Sequence, residues 1–368
     1  MRLVSTRSVE VGAKLGKAIY NDSGQVLLNT GAMLTERVLN RLIGLGYTFI
    51  YIQDEQTKGV EFNSVVKEET KRLAIHTIKT KFQTIADGIQ LRKSLNCDRL
   101  NKDFSKVVEV ILDDIKNNKN AVEILSDVFI YDSYIFTHSL NVTVYTLRLA
   151  IELGFSDKQL MEIGLGALLH DVGKMAIPVE ILNKPDRLTD EEYQMIKSHA
   201  RAGYDLLRNV PNVSLVTAHC ALQHHERPDG TGYPQGLKGN EIHLYAKIIA
   251  VADVFDAVTS NRIYRKPMLP HEGLELLYSG VGHQFEHSLV EAFRNTIAVY
   301  PVGLRVKLSD GRKGFVMKQN KQLSTHPIVH VTEEHNLVLA IGYDIDLTKH
   351  LNVTIIETET TLAASNPA

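Results

Sequence analysis

Leu168-Leu169-His170-Asp171-Val172-Gly173-Lys174 joins a histidine to an aspartate with no spacer, at the end of an apolar run that includes Leu165 and Ala167. The run predicts a buried helix. The pair at its end is a ligand set suited to iron, manganese or zinc. Taken alone, it is equally a polar helix end with Asp171 and Lys174 facing water. Its neighbours decide between the two.

Residues 126–298 alternate helical stretches with short loops, which predicts an all-α domain. Ser126-Asp127 precedes a pattern with Leu140, Val144, Leu147 and Ile151 on one helix face and Gly154 as its stop. Thr189-Asp190-Glu191-Glu192 reads as a capping box, opening a helix with Ile196, His199, Ala200 and Gly203 on one side. Ile248 to Ser260 is a further apolar helix containing Asp253 and Asp256.

Along this domain His138, His170, Asp171, His199, the doublet His224-His225 and Asp253 fall at the starts, ends or inner faces of successive helices. All can point into one bundle interior. A lone histidine such as His138 or His199 is more often a satisfied core residue. A set of imidazoles and carboxylates without a thiolate is costly to bury unless paired or metal-bound. So many donors exceed one tetrahedral zinc. They match a dinuclear site whose metals, roughly 3.5–4 Å apart, share a carboxylate and a hydroxide. Asp171 is the natural bridge. Lys174, about one helical turn on, is placed to meet a phosphate oxygen or the leaving alkoxide. The loop His225 to Pro234, with Gly230, Gly232, Tyr233 and Pro234, reads as a tight turn at the site's mouth. Arg262 and Arg265 share a helix face and suit bidentate contact with phosphate or guanine.

The rest of the chain frames this domain. In residues 1–57, strands on either side of Asn21-Asp22-Ser23-Gly24, a helix capped by Thr35 and a strand Tyr47–Ile52 predict a small α/β unit. Residues 58–125 predict helices with stripes at Phe82, Ile85, Ile89 and Leu91, and at Val107, Val110, Ile111 and Ile115. They read as a connector, with a homodimer through it as one role open to them. Residues 299–368 predict a small β-rich subdomain: a hairpin turning at Asp310-Gly311, then strands at Ile328–Val331 and Val353–Ile356. The fold class expected is therefore mainly α, flanked by these two small units.

Bulk properties exclude several classes. A net charge of -2 over 368 residues, without a Lys/Arg block, argues against a nucleic-acid polymer as partner. Two cysteines far apart, Cys97 and Cys220, fit a reducing compartment and no disulfide framework. No apolar run is long enough to insert into a membrane, and the first residues carry no secretory signal. The expectation is a cytoplasmic protein.

Beside His-Asp-Val-Gly-Lys stand Ile177-Pro178, Ile181-Leu182, Lys184-Pro185, Leu188-Thr189 and Glu192. His224-His225-Glu226, Asp229-Gly230-Thr231-Gly232-Tyr233-Pro234 and Asp253-Val254-Phe255-Asp256-Ala257-Val258-Thr259-Ser260 follow. Together they resemble the HD-GYP family over residues 126–298. The resemblance implies an HD-superfamily helical bundle and a metal-dependent phosphodiesterase. Such an enzyme linearises cyclic di-GMP to pGpG, and often on to GMP, by attack of a metal-bridging hydroxide. It implies His138, His170, Asp171, His199, His224, His225 and Asp253 as ligands of two divalent metals, iron first and manganese as the alternative. It implies Lys174, Arg262 and Arg265 as substrate contacts, beside the Gly232-Tyr233-Pro234 loop.

Four residues depart from the family pattern. Members with a third metal carry a glutamate one turn before the first histidine; Tyr134 stands there and favours two metals. Lys247 stands where arginine is usual, and Glu286-His287 replaces Asp-Pro after Phe285. No ligand is lost. Two other readings stay open: a receptor or adaptor that binds cyclic di-GMP without turnover, and an HD phosphohydrolase acting on another cyclic dinucleotide.

Overall fold

The apolar run before His170 becomes the end of a helix, and the helices around it are built to surround it. The computed structural model describes residues 1–20, 26–54, 65–91, 97–118, 134–184, 186–260, 267–320 and 323–359. Helix α1 (Glu36–Gly44) starts where Thr35 accepts from the Val38 N–H. Then come α2 (Glu68–Leu91), α3 (Cys97–Asn117), α4 (Tyr134–Glu152), α5 (Asp157–Leu169), α6 (Val179–Leu182), α7 (Asp190–Leu207), α8 (Leu215–Gln223), α9 (Leu244–Thr259), α10 (Pro270–Ser279) and α11 (His287–Arg294). The Thr189 capping box opens α7: Thr189 accepts from the Glu192 N–H while Glu192 accepts from the Thr189 N–H.

Helix α4 is expected to bury one face, but it is enclosed on nearly all sides. Residues 140–147, Leu149 and Ala150 are all buried, because α2, α3, α5, α9 and α11 each pack on it. Helix α9 is enclosed in the same way, which explains why its sequence is apolar nearly all round. The two connector helices share this core: Phe82, Ile85, Val107, Ile111 and Ile115 belong to one continuous cluster with Leu147, Leu168 and Phe255. Helix α3 lies so close to α5 that a Cβ on Gly164 would sit 2.6 Å from Val108 Cγ1. Ile89 and Leu91, at the end of α2, are exposed.

Strands β1 (Arg2–Ser5) and β4 (Phe49–Ile52) pair antiparallel, as do β2 (Ile19–Tyr20) and β3 (Val26–Leu28); the turn between β2 and β3 lies outside the described residues. The C-terminal sheet has the order β8-β7-β6-β5-β9, from β5 (Arg305–Leu308), β6 (Lys313–Lys318), β7 (Ile328–Glu334), β8 (Leu337–Asp346) and β9 (Ile355–Thr358). Strand β8 was not among the expected strands. The two ends of the chain meet: Leu3 bridges Leu304 in parallel, the Leu3 N–H donates to the Gly303 carbonyl at 3.0 Å, and Leu3, Phe49 and Tyr51 pack into the core of the C-terminal sheet. Among the described residues no helix is long and apolar enough to cross a membrane.

Candidate metal centre

Helix α5 ends at His170, and Asp171 leaves the helix with φ -100° and ψ 7°. A short 3-10 turn, Val172–Ala176, follows. That turn lies directly on α7, and only glycine permits it: a Cβ on Gly173 would stand 2.0 Å from the His199 carbonyl oxygen and 2.5 Å from Gly203 N. The close approach brings the Asp171 carboxylate to His199. His224, at the C-cap of α8, and His225 come in from one side. His138 of α4 and Asp253 of α9 come in from the other. His170 and His224 sit at helix C-termini, whose partial negative charge favours a cation.

These side chains form two groups that share one residue. Asp171, His199, His224 and His225 make one, and His138, His170 and Asp171 the other, with the ligand atoms of each within 4.8 Å of one another. Asp171 Oδ1 faces the first, 3.3 Å from His199 Nε2 and 3.8 Å from His224 Nε2. Its Oδ2 faces the second, 3.4 Å from His170 Nε2 and 3.5 Å from His138 Nε2. Asp253 repeats the pattern, with Oδ1 3.0 Å from His138 Nε2 and Oδ2 4.0 Å from His225 Nδ1.

The other nitrogen of four imidazoles is tied down. His170 Nδ1 is 2.7 Å from the Ala167 carbonyl, His199 Nδ1 2.6 Å from that of Ile196, and His224 Nδ1 3.0 Å from that of Ala221. His138 Nδ1 lies 2.7 Å from Asp256 Oδ2. Donation from Nδ1 leaves each Nε2 as a lone-pair donor aimed inward, the orientation metal-ligating histidines adopt. His170 Nε2 and Asp171 Oδ1 are buried without a hydrogen-bond partner, which a polar atom tolerates poorly unless an ion takes its lone pair.

Electrostatics keep five of the donors in their ligand forms. Burial pushes the imidazoles of His224 and His199 down, and His225 to about 3, so all three are neutral. Burial would raise the Asp171 carboxyl, but Lys174, His170 and His199 hold it well below its ordinary value. Asp253 is likewise held low against its burial, chiefly by His138. Burial opposes charge on His138 too, yet its hydrogen bonds to Asp253 and Asp256 prevail and push it up to about 9. A proton there balances two carboxylates, and a divalent ion would displace it. Ionised carboxylates, inward nitrogens and orphaned buried donors together fit divalent metal.

Lys174, expected at a phosphate, donates to Asp171 Oδ2. Arg262 and Arg265 lie outside the described residues, as does the side chain of Tyr134. The Gly-Tyr-Pro loop closes over the centre: the Tyr233 ring lies against that of His225, 4.7 Å between centres and 28° from parallel. Gly232 is required by close approach, since a Cβ would meet Arg227 N at 2.4 Å. Buried Glu226 secures the loop by accepting from the N–H groups of Gln235 at 2.7 Å and Leu237 at 3.0 Å. Its role, and that of Asp256, were not picked out from the sequence, although both lie inside the motifs quoted.

Residues 115–289 match the family model described as HD domain. A cyclic di-GMP phosphodiesterase of Pseudomonas aeruginosa is 39% identical over 227 residues, 62% of this chain and 55% of that protein. A cyclic di-GMP phosphodiesterase response regulator of Xanthomonas campestris is 46% identical over 144 residues, 39% of this chain and 38% of that protein. A 3'3'-cGAMP-specific phosphodiesterase of Vibrio cholerae is 38% identical over 155 residues, 42% of this chain and 30% of that protein. The chain thus spans about half the length of the first of these relatives and less of the others. The family match and the His/Asp clusters fall on the same helices: residues 115–289 carry the features of an HD domain.

Proposed function

We propose that this chain is a metal-dependent phosphodiesterase that opens cyclic di-GMP to a linear product, pGpG or GMP. The observation that carries the reading is the Asp171 carboxylate, with one oxygen directed at each of two ligand groups. That division suits two divalent ions, iron first and manganese as the alternative, held by His138, His170 and Asp253 on one side and His199, His224 and His225 on the other. When bound, such ions polarise a phosphoryl oxygen and lower the pKa of water towards ~7.

The chain's own groups do the rest. The neutral imidazoles of His199, His224 and His225 and the two ionised carboxylates offer lone pairs that offset the ions' charge. Burial of the cluster excludes bulk water, which strengthens the electrostatics at a phosphate in flight. Lys174, paired with Asp171 Oδ2, adds a cation beside the centre and is proposed to contact a phosphate held there. Arg262 and Arg265 are proposed as further substrate contacts, and Gly232-Tyr233-Pro234 as the wall of the mouth.

The likeness to 3'3'-cGAMP phosphodiesterases favours a second reading, the same chemistry on a mixed cyclic dinucleotide. Incubation of metal-loaded protein with cyclic di-GMP, 3'3'-cGAMP and cyclic di-AMP, with products separated by chromatography, tests both. Cyclic di-GMP is expected to give pGpG or GMP fastest. Binding without any linear product sinks the hydrolase reading, and preferential cleavage of another dinucleotide replaces the substrate. Asp171→Ala is expected to lose both metal and turnover while circular dichroism stays that of the folded chain. Full metal content with normal turnover would falsify the bridging role.

A further inference from the structure

Lys197 lies on α7 two residues before His199 and one turn after Tyr193. Its ammonium is 4.7 Å from the centre of the Tyr193 ring and 5.1 Å from that of Tyr233. Tyr233 is the loop residue that lies against His225, and His225 faces Asp253. Lys197 therefore stands at the rim of the metal centre, one aromatic ring removed from its imidazoles.

What distinguishes this cation is that no acid pairs with it among the described residues. Nearby cations are committed to carboxylates: Lys174 to Asp171, Lys184 to Glu192, Arg201 to Asp205. Among the described residues Lys197 has only the two ring faces for partners. Ring faces attract an ammonium through their quadrupole and leave its N–H groups to donate elsewhere. Tyr193 is 47% exposed, so the pair opens on solvent. A half-buried lysine flanked by two ring faces, with its N–H groups free to donate outward at the mouth of the proposed centre, suits an anion.

A cyclic dinucleotide carries two phosphates on opposite sides of its ring. One must lie at the metal centre for cleavage. We propose that Lys197, held between Tyr193 and Tyr233, binds the second phosphate, the one not being cut. The inference rests on the reading of the centre as a cyclic dinucleotide hydrolase. It makes Lys197 a binding residue whose contact is the same before and during the reaction, so its loss raises KM and leaves kcat alone.

The test is Lys197→Met, which keeps the length of the side chain and removes its charge. One charge-assisted hydrogen bond corresponds to about tenfold or more in affinity. The expected result is KM for cyclic di-GMP raised about tenfold, kcat within about twofold and metal content by elemental analysis unchanged. Added salt should raise KM less in the variant than in the wild type. Lys197→Arg should recover most of the KM. Bis(p-nitrophenyl) phosphate, a diester with no second phosphate, should be cleaved equally well by the wild type and Lys197→Met. An unchanged KM for cyclic di-GMP, an equal loss on the single-phosphate diester, or a loss of metal overturns the proposal. Wild-type protein that cleaves the small diester but no cyclic dinucleotide removes the parent reading, and this inference with it. Wild-type turnover with an indifferent Lys197→Met removes the inference alone.

Discussion

His138 presents Nε2 to the centre because Asp256 holds its Nδ1. Asp256 is itself fixed on the other oxygen by Asn141 Nδ2 and Ser260 Oγ, both at 2.8 Å. This three-sided clamp fixes the ring angle of His138, one of the proposed ligands, and groups of this kind are worth about 10- to 100-fold in metal affinity. Asp256→Asn keeps the shape and removes the charge. Its metal affinity, measured by competition with a chromophoric chelator, should fall within about that range while the far-ultraviolet spectrum stays put; unchanged affinity would show the clamp to be ornamental. Asp253 was singled out from the sequence and Asp256 was not. Three residues apart on α9, they share a face, but nothing in the spacing separates the one aimed at the centre from the one behind it. Two departures from the family pattern also resolve at this scale. Lys247 Nζ donates to Glu286 Oε1 at 2.6 Å, so the two unusual residues answer one another.

Between elements, packing decides what patterning leaves open. The stripes on α2 and α3 are legible as apolar faces, but a stripe does not say which surface covers it, and here the bundle does. Gly164 marks the tightest of these contacts. Gly164→Ala should cost about 1–3 kcal/mol in urea unfolding by overpacking against Val108. Combined with Val108→Ala it should cost clearly less than the sum of the two. Strict additivity would mean that α3 does not lie on α5 in this way. Strand β8 escaped notice for a different reason: it is an edge strand with Leu337, Val338 and Ile341 exposed, so it lacks the alternation that one buried face imposes. At the start of α10 the His271 ring stacks on Tyr300, 5.2 Å between centres. Burial pushes this imidazole down, against Glu272 and Glu275, which favour its charge. The folded state therefore resists a proton that the unfolded chain accepts below about pH 6.5, and this stability is present above that value and fades as pH falls. The melting temperature of His271→Phe should drop less between pH 7.5 and 5.5 than that of the wild type; an equal drop would place the sensitivity elsewhere.

For the whole molecule, what was hardest to read is how the small units relate, because β1 and β5 are separated by almost the full sequence. Their union rests on the Leu3–Leu304 bridge, on a cluster shared by Leu3, Leu304, Val306 and Val316, and on the ion pair of Arg2 with Glu359. Leu3→Asp places a charge in that cluster. Hydrogen exchange followed by mass spectrometry should show residues 1–20 and 303–318 losing protection together, with α4 and α9 unaffected. Loosening confined to the N-terminal segment would mean that the two units are only neighbours. The union also has a mechanical consequence. The helical unit is joined to this β-rich body by two lengths of covalent chain, one entering at α2 and one leaving after α11. A body on a single tether can spin; two attachments restrict it, and Leu269 at the start of α10, packed into the cluster of the C-terminal sheet, restricts it further. Any torque the β-rich body receives thus reaches the bundle from both ends of its sequence at once, with Asp171 and its imidazoles seated on the helices between.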